Sequence, residues 1–329
     1  MKRIGNLYEK IISIENLELA DEKARKGKTK TYGVRYHDRT REENIQKLHV
    51  LLKNKEYKTS KYSVFKIYEP KEREIYRLPY FPDRITHHAI MNILEPIWVS
   101  TFTSDTYSCI KKRGIHACKR GVERSLKIKN ETEYCLKLDI KKYYPSVDGR
   151  IMKDIVRRKI KCKDTLWLLD EIIDSSKGLP IGNYLSQYLS NLYLTYFDHW
   201  IKESKRAKHY FRYADDIVIL SHDKSHLHEL RKDIGYYLSN NLKLELKDNY
   251  QVFPIDKRGL DFVGYVFYHT HTLMRKSIKK SMCRKAHRLK KKNLTEKEFK
   301  MQLASHFGWA KHCNSTNLLN NILYDKNIL

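Results

Sequence analysis

Two rhythms of apolar residues alternate along this chain, one at helical spacing and one with a period of two. Residues 6–26 and 40–55 read as helices joined by a basic connection, Lys26-Gly-Lys-Thr-Lys-Thr31. Tyr62 to Tyr68 alternates like a strand, Pro70-Lys-Glu-Arg-Glu74 forms a charged turn, and Ile75 to Tyr80 returns. Pro82 sits at a tolerated first-turn position of a helix whose apolar face is Ile85, Ala89, Ile90, Ile93, Leu94 and Ile97. Another helix follows Gly114. A strand runs from Tyr134 to Asp139, with helices expected near 148–160, 164–175 and 184–204 and a loop at Gly178-Leu-Pro-Ile-Gly182. A hairpin at 209–221, a helix at 224–240, short strands near 242–253 and 260–268 and a helical C-terminal stretch complete an α+β pattern.

The hairpin carries the candidate chemistry. Arg212-Tyr213-Ala214-Asp215-Asp216 places two adjacent carboxylates at its tip, followed by Ile217-Val-Ile-Leu220. Acids at a hairpin tip need no reason beyond solvation, but Asp139 ends another strand-like run, Tyr134-Cys-Leu-Lys-Leu-Asp139. Three carboxylates held together repel one another, so bound cations are expected among them. Hard oxygen ligands of this kind suit Mg²⁺. A pair of divalent ions about 4 Å apart is a general device for nucleotidyl transfer.

Charge changes the picture further. The 329 residues include 66 Lys+Arg against 39 Asp+Glu, a formal net charge of +27. Such an excess attracts phosphate backbones or anionic membranes. The chain has no apolar run of about 18 residues, and its start lacks an apolar leader core, so nucleic acid is the favoured partner and no membrane role is expected. Ten Lys/Arg and no acid lie between Arg275 and Lys292. Six scattered cysteines without a Cys-x-x-Cys pair read as reduced thiols.

Tyr213-Ala-Asp-Asp216, preceded by Asp139 in Leu-Asp-Ile-Lys-Lys-Tyr-Tyr-Pro-Ser146 at an interval of 76 residues, resembles the palm of a reverse transcriptase. The resemblance covers about residues 62–270 and implies a right-hand polymerase fold: fingers in 1–100, a catalytic palm in 101–270 and a short basic helical thumb in 271–329. It implies two Mg²⁺ ions, with Mn²⁺ able to substitute, on Asp139, Asp215, Asp216 and the Ile140 backbone carbonyl. Arg73, helped by Lys71, would meet the incoming triphosphate, and Tyr144 would exclude a ribose 2′-hydroxyl. Ile181 and Gly182 fall at the nucleotide site, and Tyr213, Ser186 and Gln187 along template and primer. Gly259-Leu-Asp-Phe-Val-Gly264-Tyr265 resembles the turn that grips the primer end. Arg275, Lys276, Lys279 and Lys280 would grip the duplex from the thumb.

Ile181-Gly182-Asn-Tyr-Leu-Ser186-Gln187 departs from the Pro-Gln-Gly of many reverse transcriptases and resembles those of diversity-generating retroelements. That resemblance implies a bacterial or phage-encoded cytoplasmic enzyme that copies a template RNA into cDNA with errors at template adenines, to diversify a target protein gene. The implied partners are template RNA, RNA–DNA duplex, dNTPs and a small basic oligomeric accessory protein. The alternatives are a retron or group II intron-type reverse transcriptase without adenine mutagenesis, or a non-catalytic RNA-binding relative.

Overall fold

In the computed structural model, which describes residues 3–68, 72–292 and 294–324, the first helical run is broken rather than continuous. Ser13 is extended (φ −57°, ψ 146°), and its hydroxyl accepts a hydrogen bond from the Asn16 N–H at 3.3 Å, separating α1 (Tyr8–Ile12) from α2 (Ile14–Ala24). The basic connection leads to α3 (Tyr32–His37) and α4 (Arg41–Lys53). β1 (Ser63–Ile67) and β2 (Arg73–Arg77) form an exposed antiparallel ribbon with Ile67 opposite Arg73. The regular helix α5 (Ile85–Val99) continues from an irregular turn at Tyr80–Arg84 in which only Phe81 is extended (φ −106°, ψ 135°), so Pro82 follows the break and opens the helical stretch, as expected.

Asp21 of α2 organises this N-terminal part. Its buried carboxylate accepts from Tyr80 Oη at 2.5 Å, Arg25 at 2.6 Å and Arg41 Nε at 2.7 Å, with the His37 ring 3.5 Å away. Burial pushes its pKa up, but His37, Tyr80, Arg41 and Arg25 together outweigh that and hold the carboxyl well below its usual range.

The central unit runs through α6 (Ile115–Leu126), β3 (Tyr134–Asp139), α7 (Tyr143–Ser146), α8 (Gly149–Arg157) and α9 (Lys163–Asp174). The helix expected over 184–204 divides at Leu194 into α10 (Tyr184–Tyr193) and α11 (Thr195–His199), ending in an irregular turn. Then follow β4 (His209–Tyr213), β5 (Asp216–Ser221), α12 (Lys224–Leu242) and β6 (Gln251–Pro254). The strands form one antiparallel sheet in the order β4-β5-β3-β6. Because side chains alternate across a strand, Leu136, Leu138, Tyr210, Ile217 and Ile219 join the large helical core on one face. Cys135, Phe211, Val218, Leu220 and Phe253 join a second core with α6 on the other.

After the short helix α13 (Ile255–Arg258), β7 (Leu260–Phe262), β8 (Tyr265–Phe267) and β9 (Thr272–Met274) make a separate antiparallel sheet. The chain finishes in α14 (Lys276–Lys290), α15 (Glu296–Ala310) and α16 (Thr316–Tyr324), which share a third core around Met282, Leu289 and Leu303. The strand β9 has no counterpart in the sequence reading. Its three residues are too short for a period to register.

Removing one partner from a buried ionic cluster leaves the others uncompensated. Asp21→Ala is expected to lower unfolding stability by about 3–5 kcal/mol, read from chemical denaturation. A loss under about 1 kcal/mol, the range of exposed ion pairs, would contradict the organising role given to Asp21.

Candidate active site

Strand pairing brings the acids together. Asp139, the last residue of β3, lies directly opposite Asp216, the first of β5, and Asp216 also pairs with Tyr213 of β4. Opposed residues in such a ladder have Cα atoms about 4.5–5.5 Å apart. Only Ala214 and Asp215 connect β4 to β5, and Ala214 takes a left-handed φ of 55°, a conformation costly for a residue with a Cβ. The turn needs an external hold.

Arg212 provides it. The guanidinium is fully buried at the end of β4 and donates to the Ala214 carbonyl at 3.0 Å. It forms a fork with Asp198 of α11 (Nε to Oδ1 2.7 Å, a second nitrogen to Oδ2 2.6 Å) and reaches Asn191 Oδ1 of α10 at 3.2 Å. Asp198 also accepts from Tyr210 Oη at 2.5 Å and Thr106 Oγ1 at 2.9 Å, so its oxygens are fully used. Asp198 and Asn191 were not singled out in the sequence, and Arg212 carried no role there. The available signal was charge and amide inside apolar runs.

The electrostatics of the three acids are unfavourable as they stand. Burial, followed by the Asp216 and Asp139 charges, pushes Asp215 up to about 6. Asp216 is also raised, by burial and by Asp139, against the pull of Lys137, Arg275 and Lys247. Lys247 donates to Asp139 Oδ2 at 2.5 Å, while Asp139 Oδ1 is buried without a partner among the described residues. No pattern in the sequence marks Lys247, which lies 108 residues from Asp139. Among the described residues no three His, Cys, Asp or Glu side chains converge tightly enough to close around an ion by themselves. The donors nevertheless fit a hard divalent cation, since Mg²⁺ fills its octahedral shell with waters and substrate phosphates around one or two carboxylates. An orphaned buried oxygen and mutually repelling neighbours supply those carboxylates.

Ile140 is buried and forms an isolated bridge with Leu246. The bridge bonds are made by its neighbours (Lys141 N–H to Glu245 O, Lys247 N–H to Asp139 O), leaving its own carbonyl outside them. Tyr144 follows on α7, partly buried, its hydroxyl 3.3 Å from Ser190 Oγ. Arg73, at the start of β2, and Asp215 both lie within electrostatic reach of that hydroxyl. Lys71 lies outside the described residues.

The 178–182 loop joins these parts. Gly178 has φ +72°, and a Cβ there would lie 2.7 Å from the Tyr144 carbonyl and from Pro145, so only glycine lets the loop rest on this turn. Leu179 N–H donates to the Tyr144 carbonyl at 2.8 Å, and the Ile181 carbonyl accepts from the Tyr76 N–H of β2 at 2.8 Å. Ile181 and Gly182 thus bridge the exposed ribbon to Tyr144. Ser186 is buried in α10, whereas Gln187 is exposed.

Other expected contacts spread outward. Tyr213 is partly buried beside the second core. Gly264 turns β7 into β8 with φ +88°, beneath the Trp309 ring of α15. Arg275 Nε is tied to Asp261 at 2.6 Å, and Lys137 Nζ to the Asp261 carbonyl at 2.6 Å, which anchors this turn to the central sheet. Lys276, Lys279, Lys280, Arg284 and Arg288 line one face of α14 along a surface groove of about 870 Å³. No helix among the described residues is long and apolar enough to cross a membrane.

Residues 69–267 match the family described as reverse transcriptase (RNA-dependent DNA polymerase). The chain is similar to Protein YkfC of Escherichia coli (strain K12), 27% identical over 259 residues that cover 64% of this chain and 66% of that protein. It is also similar to the Group II intron-encoded protein LtrA of Lactococcus lactis subsp. cremoris, 20% identical over 261 residues that cover 57% of this chain and 43% of LtrA. The matched segment therefore spans less than two thirds of either relative. Among solved structures, telomerase from Candida albicans, in complex with the TWJ fragment of telomeric RNA, matches with a TM-score of 0.51 at 11% identity. That match covers 72% of this chain and 52% of the telomerase chain, and it is a likeness of fold. The α+β right-hand polymerase fold expected from the sequence is the fold observed.

Two outcomes follow from the local physics. Arg212→Leu strands Asp198 as a buried, unpaired charge and is expected to cost about 3–5 kcal/mol in denaturant unfolding. Asp215 has a folded pKa of about 6, above the ordinary carboxylate value, so its contribution is favourable in acid and is lost as pH rises toward and through that value. In EDTA at about pH 8, Asp215→Asn should therefore raise Tm by roughly 2–4 °C, with the gain disappearing at about pH 4. An unchanged Tm at the higher pH contradicts the repulsion described.

Proposed function

This chain belongs to the reverse transcriptase (RNA-dependent DNA polymerase) family, and from that premise we propose that it copies a template RNA into cDNA. The observation that carries the reading is the pairing of Asp139 with Asp216 beside the Asp215 turn, within the segment that matches the family. In the reaction the primer 3′-oxygen bonds to the α-phosphorus of a dNTP, the bond to pyrophosphate breaks, and the hydroxyl proton is lost to solvent or base. Asp139, Asp215, Asp216 and the Ile140 carbonyl would hold Mg²⁺, or Mn²⁺ in its place. Bound divalent ions make the 3′-hydroxyl more acidic and offset charge on the leaving group.

The protein's own groups do the positioning. Tyr144, fixed by the 178–182 loop, presents its ring where an added 2′-hydroxyl clashes, which selects deoxynucleotides. Arg73, with Lys71, meets the triphosphate. The basic face of α14, with Gly264 and Arg275 before it, grips the RNA–DNA duplex through phosphates. Tyr213, Ser186 and Gln187 lie along template and primer. In this reading fingers, palm and thumb divide the chain at about residues 100 and 270.

We further propose the diversity-generating type, with errors at template adenines, a target protein gene and a small basic oligomeric accessory protein as partner. Ile181 supports this: an aliphatic side chain has no donor or acceptor to test the nascent base pair where a glutamine would. The likeness to LtrA favours a second reading, an intron-type reverse transcriptase that copies adenines faithfully.

Primer extension on an RNA template, followed by cDNA sequencing, tests both levels. Asp215→Ala should abolish dNTP incorporation, and persistent incorporation would falsify the assigned reaction. The wild-type cDNA should carry excess errors opposite adenine, which Ile181→Gln should lower about tenfold while synthesis continues. Adenine errors no higher than those at other bases select the intron-type reading.

A further inference from the structure

At Gly182 the loop that supports Tyr144 reaches a second feature, a cavity of about 550 Å³ between α3, the β1–β2 ribbon and the start of α10. Its volume is that of a single small-ligand site, about 300–1,000 Å³. Aromatic faces wall it: Tyr32, Tyr36, Phe65, Tyr76 and Tyr184. The Tyr32 and Tyr36 rings stack at 5.9 Å and 22°, yet the residues are 78% and 59% exposed. Two stacked, solvent-facing rings beside an open cleft offer a π-surface, and the Arg39 guanidinium 5.8 Å from the Tyr36 ring centroid adds a further cation to it.

The charges are equally uncompensated. Lys28, Arg77 and Arg84 all line the cavity, and no carboxylate among the described residues does. Arg84, burial and Arg77 push the Lys28 amine down; burial and Arg77 likewise push Arg84 down despite the opposing influence of Tyr80. Three cations that repel one another across a cleft are a ready site for an anion.

Polar groups beneath the cleft are unused as well. His87 is 3% exposed and Asn183 6%, and neither His87 Nε2 nor Asn183 Nδ2 has a hydrogen-bond partner among the described residues. Buried polar atoms are nearly always paired, so a missing partner is expected from outside the chain. Burial and Arg84 bring His87 down to about 4, so the ring is neutral near pH 7 and its nitrogens can each donate or accept by tautomer.

Stacking rings, clustered cations and unpaired imidazole and amide groups together match one ligand chemistry, a nucleobase with its phosphate. Asn183 and Tyr184 adjoin Ile181 and Gly182, the residues assigned to the nascent base pair, so a strand is favoured over a free nucleotide. We propose that this cavity holds one unpaired ribonucleotide of the template strand ahead of the copied position, its base in the aromatic cleft above His87 and Asn183 and its phosphate on Lys28, Arg77 and Arg84. The proposal rests on the polymerase reading above.

The test uses the full chain and RNA-template/DNA-primer duplexes with zero to three unpaired template nucleotides beyond the templating base, each carrying 2-aminopurine in the overhang where one exists. Wild-type protein should bind about tenfold tighter once the subsite nucleotide is present, with 2-aminopurine quenched at that position. Tyr36→Ala and Arg77→Gln, both at exposed positions, should lose most of that gain relative to their own binding of the overhang-free duplex. No gain at any overhang length, or a full gain in both variants, overturns the subsite. Adenosine 5′-monophosphate abolishing the quench at micromolar concentration would assign the cleft to free nucleotide and overturn the strand assignment. Extension of the overhang-free duplex by wild-type protein reports separately on the polymerase reading, which fails if no primer is extended.

Discussion

Everything at the centre of this molecule answers one constraint: carboxylates on neighbouring strand ends must be kept together against their own repulsion. Asp139 and Asp216 face each other across β3 and β5, and Asp215 occupies the adjoining turn. Like charges directly opposed in a sheet are destabilising. The fold meets this with a stiff support below and cations to the side. Arg212, locked to Asp198 and Asn191, holds the turn by its Ala214 carbonyl, while Lys247 and Lys137 temper the negative field. The strain is tolerated because the support is buried and fully hydrogen-bonded.

The same economy of connection runs outward from the acids. Tyr144 is set by the turn after β3, and that turn is capped by Gly178, where any side chain would collide with backbone. Three residues later Ile181 is bonded to β2, so the exposed ribbon, the tyrosine and the acids are linked through one short loop. The aromatic cleft at Gly182 lies on this same path.

Much of this was legible in the residues alone. The short apolar runs before Asp139 and after Asp215 marked the strands, because a strand packed on both faces reads as a continuous apolar run ended by a turn. The three acids read as one cluster in the sequence, and the pairing of β3 with β5 that sets Asp139 opposite Asp216 is what the structure adds. What stayed hidden depends on long-range contact. Asp198 sits in a helical run whose pattern gives no hint that it faces a guanidinium 14 residues on, and Lys247 meets Asp139 across 108 residues. The break at Leu194 has neither Pro nor Gly to announce it. Pro82 marked a helix start legibly, since the extended Phe81 just before it and the helical residues after it are what a proline in the first turn favours.

The proposed reaction requires Asp139, Asp215 and Asp216 to hold a divalent cation together. Mn²⁺ binding followed by electron paramagnetic resonance, in the presence of a dNTP and primer–template, measures it without relying on turnover. Wild-type protein should bind Mn²⁺, and Asp139→Asn should weaken that binding at least about tenfold. Equal Mn²⁺ affinity in wild type and Asp139→Asn would contradict the account.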